Sequence, residues 1–203
     1  MSDVLSIGDW NNNAELFADA HRIGYVKGAV LDLTYGVGNF WTNLPDLDVV
    51  KNDLNPEKGD HSHDVSGPIP MEWGYQFDTV VFDPPYAMSG RRDAVPGKGE
   101  GGFSANFGLD KVKDKDVPGL LRDGTRFAIE CAKPSGFVLV KCQDQQWSGK
   151  LFEQTDLVRQ VARSQKFRVV DRFHMRIRVR AQPATRAQVS ARSNYSTLMV
   201  LGR

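Results

Sequence analysis

Two near-continuous apolar segments constrain the fold of this chain more strongly than any other feature. Residues 77–83 read FDTVVFD and residues 136–142 read GFVLVKC, so apolar side chains occupy consecutive positions instead of alternate ones. Strands with this pattern are buried on both faces, and they occur almost only in parallel sheets that helices cover on each side. The two segments therefore predict the central strands of an α/β domain.

The other segments alternate between strand and helix patterns, as a parallel sheet requires. Strands are predicted at residues 29–35, 48–54, 167–179 and 194–202, and helices at residues 120–133 and 150–166. The last two strands flank a polar segment and are predicted to pair as an antiparallel hairpin in a basic C-terminal region, residues 167–203. The sequence thus predicts one domain over residues 1–203, with a mostly parallel sheet and a C-terminal antiparallel hairpin.

The composition argues against several classes of protein. Of the 203 residues 25% are charged, and the longest apolar runs fall far short of the roughly 20 residues that a membrane-spanning helix needs. The first ten residues have neither the basic flank nor the apolar core of a secretory signal. Cys131 and Cys142 are too few for a disulfide framework, and His61 and His63 have no further ligands nearby. We therefore expect a cytoplasmic protein without membrane contact and without a metal.

The net charge is close to zero, but the charges are unevenly distributed. The chain has 26 basic and 25 acidic residues. Residues 1–60 contain ten acids and four bases, whereas the residues from 164 onward contain nine bases and one acid. A polyanion could therefore bind the second region and not the first. An arginine-rich surface that faces only water is the alternative, and charge alone favours neither.

Residues 87–117 interrupt the regular pattern. These 31 residues contain clustered glycine and charge, without an apolar period. Loops of this length are uncommon inside compact domains and are usually either functional or disordered. Because the segment follows directly after the most distinctive motif of the chain, we interpret it as a functional loop, a lid or an insertion that contacts the target.

The first motif lies where the first parallel strand is predicted to end. Residues 32–40 read DLTYGVGNF, and Gly36 and Gly38 allow the backbone to approach a ligand closely at a strand-to-helix turn. Asp53 ends the next strand, 21 residues beyond Asp32. Doubly wound folds place a carboxylate against ribose hydroxyls at this position. The pair predicts a nucleotide-like ligand; the alternative is a plain turn and a helix cap.

The second motif is Asp83-Pro84-Pro85-Tyr86, at the end of the apolar run FDTVVFD. Two consecutive prolines fix the backbone, remove two N–H donors and force the chain out of the strand. The Asp83 carboxylate and the Pro84 carbonyl remain as acceptors, with the aromatic ring of Tyr86 beside them. A planar base with an exocyclic amine matches this set, since its N–H groups need acceptors and its ring needs a stacking partner.

With both motifs in this order, the sequence resembles the S-adenosylmethionine-dependent amino-methyltransferases of the DPPY type, which modify exocyclic amines, chiefly adenine N6 in DNA. The resemblance runs from Asp32 to the terminal hairpin, and LDLTYGVGNFW is similar to a segment of small phage and bacterial DNA methylases. It implies a Rossmann-like class I methyltransferase domain whose seven strands have the order 3-2-1-4-5-7-6, one of them antiparallel. It also implies S-adenosyl-L-methionine as the cofactor.

The resemblance assigns roles to individual residues. The catalytic residues would be Asp83, Pro84, Pro85 and Tyr86. The cofactor would contact Asp32, Thr34, Gly36, Gly38 and Phe40 of the first motif, Asp53 at the ribose, Asp64 at the adenine ring, and Trp10 and Asn11 ahead of the first strand. Acceptors at Asp83 and Pro84 would let the target nitrogen become tetrahedral and present its lone pair to the sulfonium methyl. Tyr86 would stack on a flipped base.

Few segments remain to bind a nucleic acid. The candidates are Arg91, Arg92 and Phe103 in the long loop, and Arg176, Arg178, Arg180 and Arg186 in the C-terminal region. Sequence-specific members of the family usually carry a separate recognition region, and this chain has no room for one. We therefore expect a DNA adenine-N6 methyltransferase with a short or relaxed recognition sequence, or one that depends on a second copy or another partner.

Two alternatives stay open. Ribosomal-RNA amino-methyltransferases, which act on adenine N6 or guanine N2, carry closely similar motifs on the same fold. The second alternative is an inactive, cofactor-binding subunit of a paired methyltransferase, although intact Asp83, Gly36, Gly38 and Asp53 argue against it.

Overall fold

The computed structural model describes residues 3–85, 116–147, 150–177, 191 and 193–203. In chain order the elements are β1 (Ile7–Gly8), α1 (Asn13–Arg22), β2 (Val30–Asp32), β3 (Val49–Lys51), a 3₁₀ turn (Met71–Trp73), β4 (Phe77–Phe82), α2 (Val117–Cys131), β5 (Ala132–Cys142), β6 (Gln145–Trp147), β7 (Lys150–Phe152), α3 (Gln154–Ser164), β8 (Arg168–Arg176) and β9 (Tyr195–Gly202).

Seven of the described strands form one sheet in the order β3-β2-β4-β5-β9-β8-β1. β2 pairs in parallel with β3 and with β4, and β4 pairs in parallel with β5. β9 runs antiparallel to both β5 and β8. The predicted α/β fold, with a mostly parallel seven-stranded sheet and a C-terminal antiparallel hairpin, is confirmed.

One edge of the sheet differs from the expected strand order. That order places a further strand outside β3. In its place the described residues form a single parallel bridge between Asn52 and His61. Pro68 and Pro70 follow closely in the sequence, and prolines cannot donate to a strand ladder. The seventh strand is instead β1, which pairs in parallel with β8 at the opposite edge. With two residues, β1 is too short for the apolar pattern of the sequence to reveal it.

The central strands are buried on both faces, which explains their continuous apolar sequences. On one face Val81 and Leu139 belong to the same buried cluster as Phe17 of α1. On the other face Val80 and Val138 belong to a cluster that includes side chains of α2 and α3. Because side chains alternate along a strand, the residue that follows each strand also has a defined face.

α2 packs closely against β4. It has 15 residues and begins after Asp116, whose carboxylate accepts a hydrogen bond from the Gly119 N–H at 2.8 Å. Gly124 lies directly against the ring of Phe82, where a Cβ atom would overlap the ring. Among the described residues, none of the helices combines the length and the apolar character that crossing a membrane requires.

The helix predicted at residues 150–166 begins later than expected. Residues 150–152 form β7, which pairs antiparallel with β6 in a separate two-stranded hairpin. α3 begins at Gln154, where the Asp144 carboxylate accepts hydrogen bonds from the N–H and the hydroxyl of Thr155. This group comes from outside the helix, so the local sequence of residues 150–166 does not reveal where the helix starts.

Candidate active site

A cleft opens at the edge of the sheet where β2, β3 and β4 end, since the carboxyl ends of parallel strands meet at one edge. Its lining consists of Leu33, Thr34, Asp53, Leu54, His63, Val65, Phe82, Asp83, Pro84, Pro85 and Leu120. The structure thus brings five of the predicted site residues together: Thr34, Asp53, Asp83, Pro84 and Pro85. The apolar lining residues and His63 were not predicted from the sequence, because nothing local distinguishes them from other core or loop residues.

The turn after β2 depends on its two glycines. Gly36 and Gly38 have φ angles of 60° and 72°, a region that disfavours residues with a side chain. A Cβ atom on Gly38 would also lie 2.6 Å from the hydroxyl of Tyr35. The N–H of Gly36 donates to the Asp53 carboxylate at 2.8 Å. The turn therefore contacts a residue of the lining, although neither glycine lines the cleft itself.

Asn52 joins backbone segments on two sides of this turn. Its side-chain amide donates to the carbonyl of Leu33 at 3.1 Å and to the carbonyl of His63 at 3.0 Å. Its side-chain oxygen accepts from the N–H of His63 at 2.8 Å. Asn52 is 1% exposed, and both of its partners line the cleft. The sequence analysis missed Asn52; a buried polar residue directly before Asp53 was the available signal.

The wall beside Asp53 is largely apolar. Leu54, Val65 and Leu120 contribute aliphatic side chains to it. Asp53 itself is 8% exposed and accepts hydrogen bonds from the N–H groups of Gly36 and Asn55, both at 2.8 Å. An apolar wall beside a carboxylate suits a ligand that has a flat apolar ring and hydroxyl groups next to it.

His63 belongs to an aromatic cluster behind this wall. Its ring packs edge-on against Trp73, with 4.7 Å between ring centroids, and Trp73 is buried. His61 stacks on His63 at 5.9 Å and also contacts Trp73 edge-on. In the described part of the chain, no group of three or more His, Cys, Asp and Glu side chains could hold a metal ion.

Asp83 lines the cleft on the other side of β2 from Asp53, because β4 and β3 flank β2 in the sheet. The N–H of Asp83 donates to the hydroxyl of Thr34 at 2.8 Å. This hydrogen bond connects the end of β4 to the end of β2. The side chain of Asp83 is half-buried and Pro84 is buried, so the acceptors of the second motif lie on fixed backbone at the cleft.

Asp32 lies beneath the turn and does not line the cleft. Its carboxylate accepts hydrogen bonds from the Trp41 indole N–H at 2.8 Å and from the Thr34 N–H at 3.0 Å. Burial raises the pKa of Asp32 to about 7, the two hydrogen bonds oppose this rise, and the nearby carboxylates of Asp83 and Asp53 add to it. Through these hydrogen bonds Asp32 anchors the turn. Its contact with a cofactor stays a prediction.

Three other predicted cofactor contacts lie around α1 and outside the lining of the cleft. Phe40 is buried and stacks on an aromatic ring of α1 with 4.1 Å between centroids. The indole N–H of Trp10 donates to the Asp19 carboxylate at 2.9 Å. The side-chain amide of Asn11 donates to the Glu15 carboxylate at 3.1 Å. The contacts of Trp10 and Asn11 hold the segment before α1 against that helix, and Phe40 packs against the helix from the segment after β2.

Asp64 also lies outside the lining of the cleft. It is exposed, and its carboxylate accepts a hydrogen bond from the N–H of Ser66 at 2.8 Å. The residues on either side of it, His63 and Val65, line the cleft instead. The predicted position is therefore one residue away from the lining, and its carboxylate bonds within a turn.

Of the predicted nucleic-acid contacts, Arg176 is described. Its side chain is exposed at the end of β8 and lies 3.7 Å from the carboxylate of Asp9, which is also exposed. Such an exposed ion pair contributes little to stability, so Arg176 can exchange Asp9 for another anion. The remaining calls lie outside the described residues: Tyr86, Arg91, Arg92, Phe103, Arg178, Arg180 and Arg186, together with residues 87–115 of the predicted loop.

Both cysteines lie in the core. Cys131 and Cys142 are buried and free. Burial raises the pKa of the Cys131 thiol to about 12 and also raises the pKa of Cys142. Neither thiol is therefore ionised near neutral pH, which argues against a nucleophilic role.

We expect Asn52→Ala to lower the unfolding free energy by about 2 to 4 kcal/mol, because it leaves the buried carbonyl of Leu33 and the partly buried backbone groups of His63 without their partner. Urea denaturation measures this change. The matched control is Asn55→Ala, whose side chain accepts one hydrogen bond in an exposed turn, and it should cost less than about 1 kcal/mol. Equal losses in the two variants would contradict the role of Asn52.

A second prediction concerns Asp32 and pH. Its carboxyl has a pKa of about 7 in the folded chain against 3.8 when unperturbed, so the folded state holds a proton that the unfolded state releases. Unfolding free energy should therefore fall as pH rises from about 4 to about 7, by up to about 1.4 kcal/mol per pH unit. In Asp32→Asn this contribution is absent. The unfolding free energy of wild type minus that of Asp32→Asn should decrease from pH 5 to pH 8. A difference that does not change with pH would disprove the effect of burial on Asp32.

Comparisons with known proteins bear on the fold. No protein-family model and no curated protein matches the sequence. Among solved structures, TrmN from Thermus thermophilus is 14% identical, with a TM-score of 0.53 over 93% of this chain and 48% of that one, so the chain spans about half of TrmN. A SAM-dependent methyltransferase from Methanosarcina mazei is 11% identical, with a TM-score of 0.53 over 89% of this chain and 95% of that one.

A third solved structure is the 1,6-didemethyltoxoflavin-N1-methyltransferase of Burkholderia thailandensis, which contains S-adenosylhomocysteine. It is 12% identical, with a TM-score of 0.51 over 93% of this chain and 76% of that one. At these identities the likeness concerns the fold alone. The chain has the Rossmann-like class I fold of S-adenosylmethionine-dependent methyltransferases.

Proposed function

We propose that this chain transfers a methyl group from S-adenosylmethionine to the exocyclic N6 amine of adenine in DNA. The observation that carries the proposal is the presence of Asp83, Pro84 and Pro85 in the same cleft as Asp53. A carboxylate suited to ribose hydroxyls and a rigid pair of acceptors suited to an amine thus lie on either side of β2. The class I methyltransferase fold supports S-adenosylmethionine as the cofactor.

The lining of the cleft fits this cofactor. Asp53 would accept hydrogen bonds from the ribose hydroxyls, and Leu54, Val65 and Leu120 would enclose the adenine ring. No residue of the described lining is a lysine or an arginine, so the cleft suits a nucleoside without phosphate groups. Two carboxylates in the lining favour a cation. When bound, S-adenosylmethionine supplies an electrophilic methyl group on a positively charged sulfur.

The second motif would prepare the target amine. The lone pair of an aromatic amine is delocalised into the ring, which makes the nitrogen a poor nucleophile. If the Asp83 carboxylate and the Pro84 carbonyl accept the two amine hydrogens, the nitrogen can become tetrahedral and direct its lone pair out of the ring plane. The Asp83 carboxylate also stabilises the positive charge that develops on the nitrogen. The hydrogen bond from the Asp83 N–H to Thr34 keeps these acceptors in place.

We expect Asp83→Ala to lower methyl transfer by about 1000-fold or more, because it removes the acceptor that orients the amine and balances its charge. Binding of S-adenosylhomocysteine, measured by calorimetry, should change little, since Asp53 and the apolar wall are intact. Asp46→Ala, which removes an exposed carboxylate in the link between β2 and β3, is the control and should retain full activity. Normal turnover by Asp83→Ala would exclude the proposed mechanism.

The target is tested by offering tritiated cofactor with duplex DNA, single-stranded DNA and RNA in parallel. We expect label in DNA adenine at a short or relaxed recognition sequence, with an affinity that decreases steeply with salt if the basic C-terminal region contacts phosphates. Label in RNA alone would replace DNA by RNA as the target. Cofactor binding without label in any nucleic acid would favour an inactive partner subunit, and methylation at one long motif by the chain alone would contradict relaxed recognition.

A further inference from the structure

A buried lysine beside the second motif has no part in the chemistry described so far. Lys141 is the penultimate residue of β5 and is 2% exposed. Lysine is almost never buried to this extent without a partner, because removing an ammonium group from water costs several kcal/mol. The position also interrupts the apolar run GFVLVKC, which otherwise consists of core residues.

The register of the sheet places Lys141 next to Asp83. β4 and β5 pair in parallel, with Phe82 opposite Val140, so the next residues on the two chains are Asp83 and Lys141. Neighbouring strands lie about 4.8 Å apart. Alternation along each strand puts both side chains on the face that α1 covers, the face of Val81 and Leu139. The two charges are therefore neighbours on one face of the sheet.

α1 provides a second attachment for the same ammonium group. The Nζ atom of Lys141 donates to the Oδ1 atom of Asn13, the first residue of α1, at 2.5 Å. It also lies 5.8 Å from the ring centroid of Phe40. Burial lowers the pKa of Lys141, and the negative charge of Asp83 opposes that change. Lys141 thus bonds to α1 while its positive charge acts on Asp83 at the end of β4.

Other titratable groups face this position from the neighbouring elements. Asp32 at the end of β2 has a pKa of about 7, so it is partly neutral at physiological pH. Asp144, which follows β5, already accepts two hydrogen bonds from Thr155 at the start of α3. Asp53 and His63 line the cleft beyond β2. Among these carboxylates, Asp83 is the one that lies next to the positive charge of Lys141.

We propose that Lys141 is a positioning residue for methyl transfer, whose ammonium group, anchored on Asn13, keeps the Asp83 carboxylate ionised and oriented towards the target amine. The inference rests on the proposed function of Asp83. An ionised carboxylate can accept a hydrogen bond from the amine N–H. A protonated carboxyl group would instead direct its O–H donor towards the amine, whose N–H groups are also donors. A fixed cation beside Asp83 favours the ionised form and restricts its orientation.

The test compares Lys141→Met with wild type. We expect kcat to fall by about 100-fold, because the acceptor is no longer held in position. The acid limb of the kcat profile should move up by about one pH unit, since an acid that loses a neighbouring cation is protonated more readily. S-adenosylhomocysteine binding should stay within about twofold. The thermal unfolding midpoint should fall, because removing one member of a buried charged pair leaves the other charge uncompensated, so kcat is compared at a temperature at which both proteins are folded.

Two further variants separate the proposal from a packing effect. Asn13→Ala keeps the charge and removes its anchor, so kcat should fall by less than in Lys141→Met while the acid limb stays in place. Lys133→Met is the matched control: Lys133 lies at the other end of β5 and pairs with Asp78 at 2.8 Å, far from the cleft along the strand. It should leave kcat and its pH dependence unchanged. Equal pH profiles for wild type and Lys141→Met would overturn the inference.

A readout that does not depend on turnover distinguishes this inference from the proposed function. With ¹³C-labelled aspartate, the carboxyl signal of Asp83, identified by its absence in Asp83→Asn, should titrate at higher pH in Lys141→Met than in wild type. This shift is expected whether or not methyl transfer is detected. An unchanged titration would refute the role of Lys141 alone, whereas a wild-type protein that methylates no nucleic acid would refute the proposed function alone.

Discussion

The buried amide of Asn52 is the interaction on which the cleft depends. It bonds the backbone of Leu33 after β2 and of His63 beyond β3. The adjacent Asp53 carboxylate bonds the N–H of Gly36 in the glycine turn. These bonds satisfy backbone groups that no strand pairs, because β2 and β3 have only three residues each. Because these strands are short, the side chains of Asn52 and Asp53 hold the backbone around the cleft in place.

Charged side chains are concentrated at the same edge of the sheet. Asp32 ends β2, Asp83 follows β4 and Lys141 is the penultimate residue of β5, and these three strands are adjacent. Asp32 and Lys141 are almost completely buried. Both buried residues have a hydrogen-bond partner: Trp41 for Asp32, and Asn13 for Lys141. Buried charges stabilise a fold less than apolar residues would, so their presence here favours a functional explanation over a structural one.

The polar part of the cleft could be predicted from the sequence more readily than its walls. Asp53 follows β3 at a fixed spacing from the glycine motif, and two prolines directly follow Asp83. Leu54 and Leu120 carry no such mark, because an aliphatic residue has the same local pattern in a cleft as in a core. Asp64 is exposed and lies outside the lining, although His63 and Val65 on either side of it belong to the lining.

The sequence by itself determined the class of fold, the central strands and the hairpin of β8 and β9, because apolar periodicity is a local property of the chain. The tertiary structure decided which strand occupies each edge of the sheet: β1 joined β8, and one bridge at His61 stands outside β3. It also decided that Lys141 lies beside Asp83, and that residues 150–152 pair with β6 before α3 begins. These outcomes depend on pairing between residues distant in the chain, which local patterns do not record.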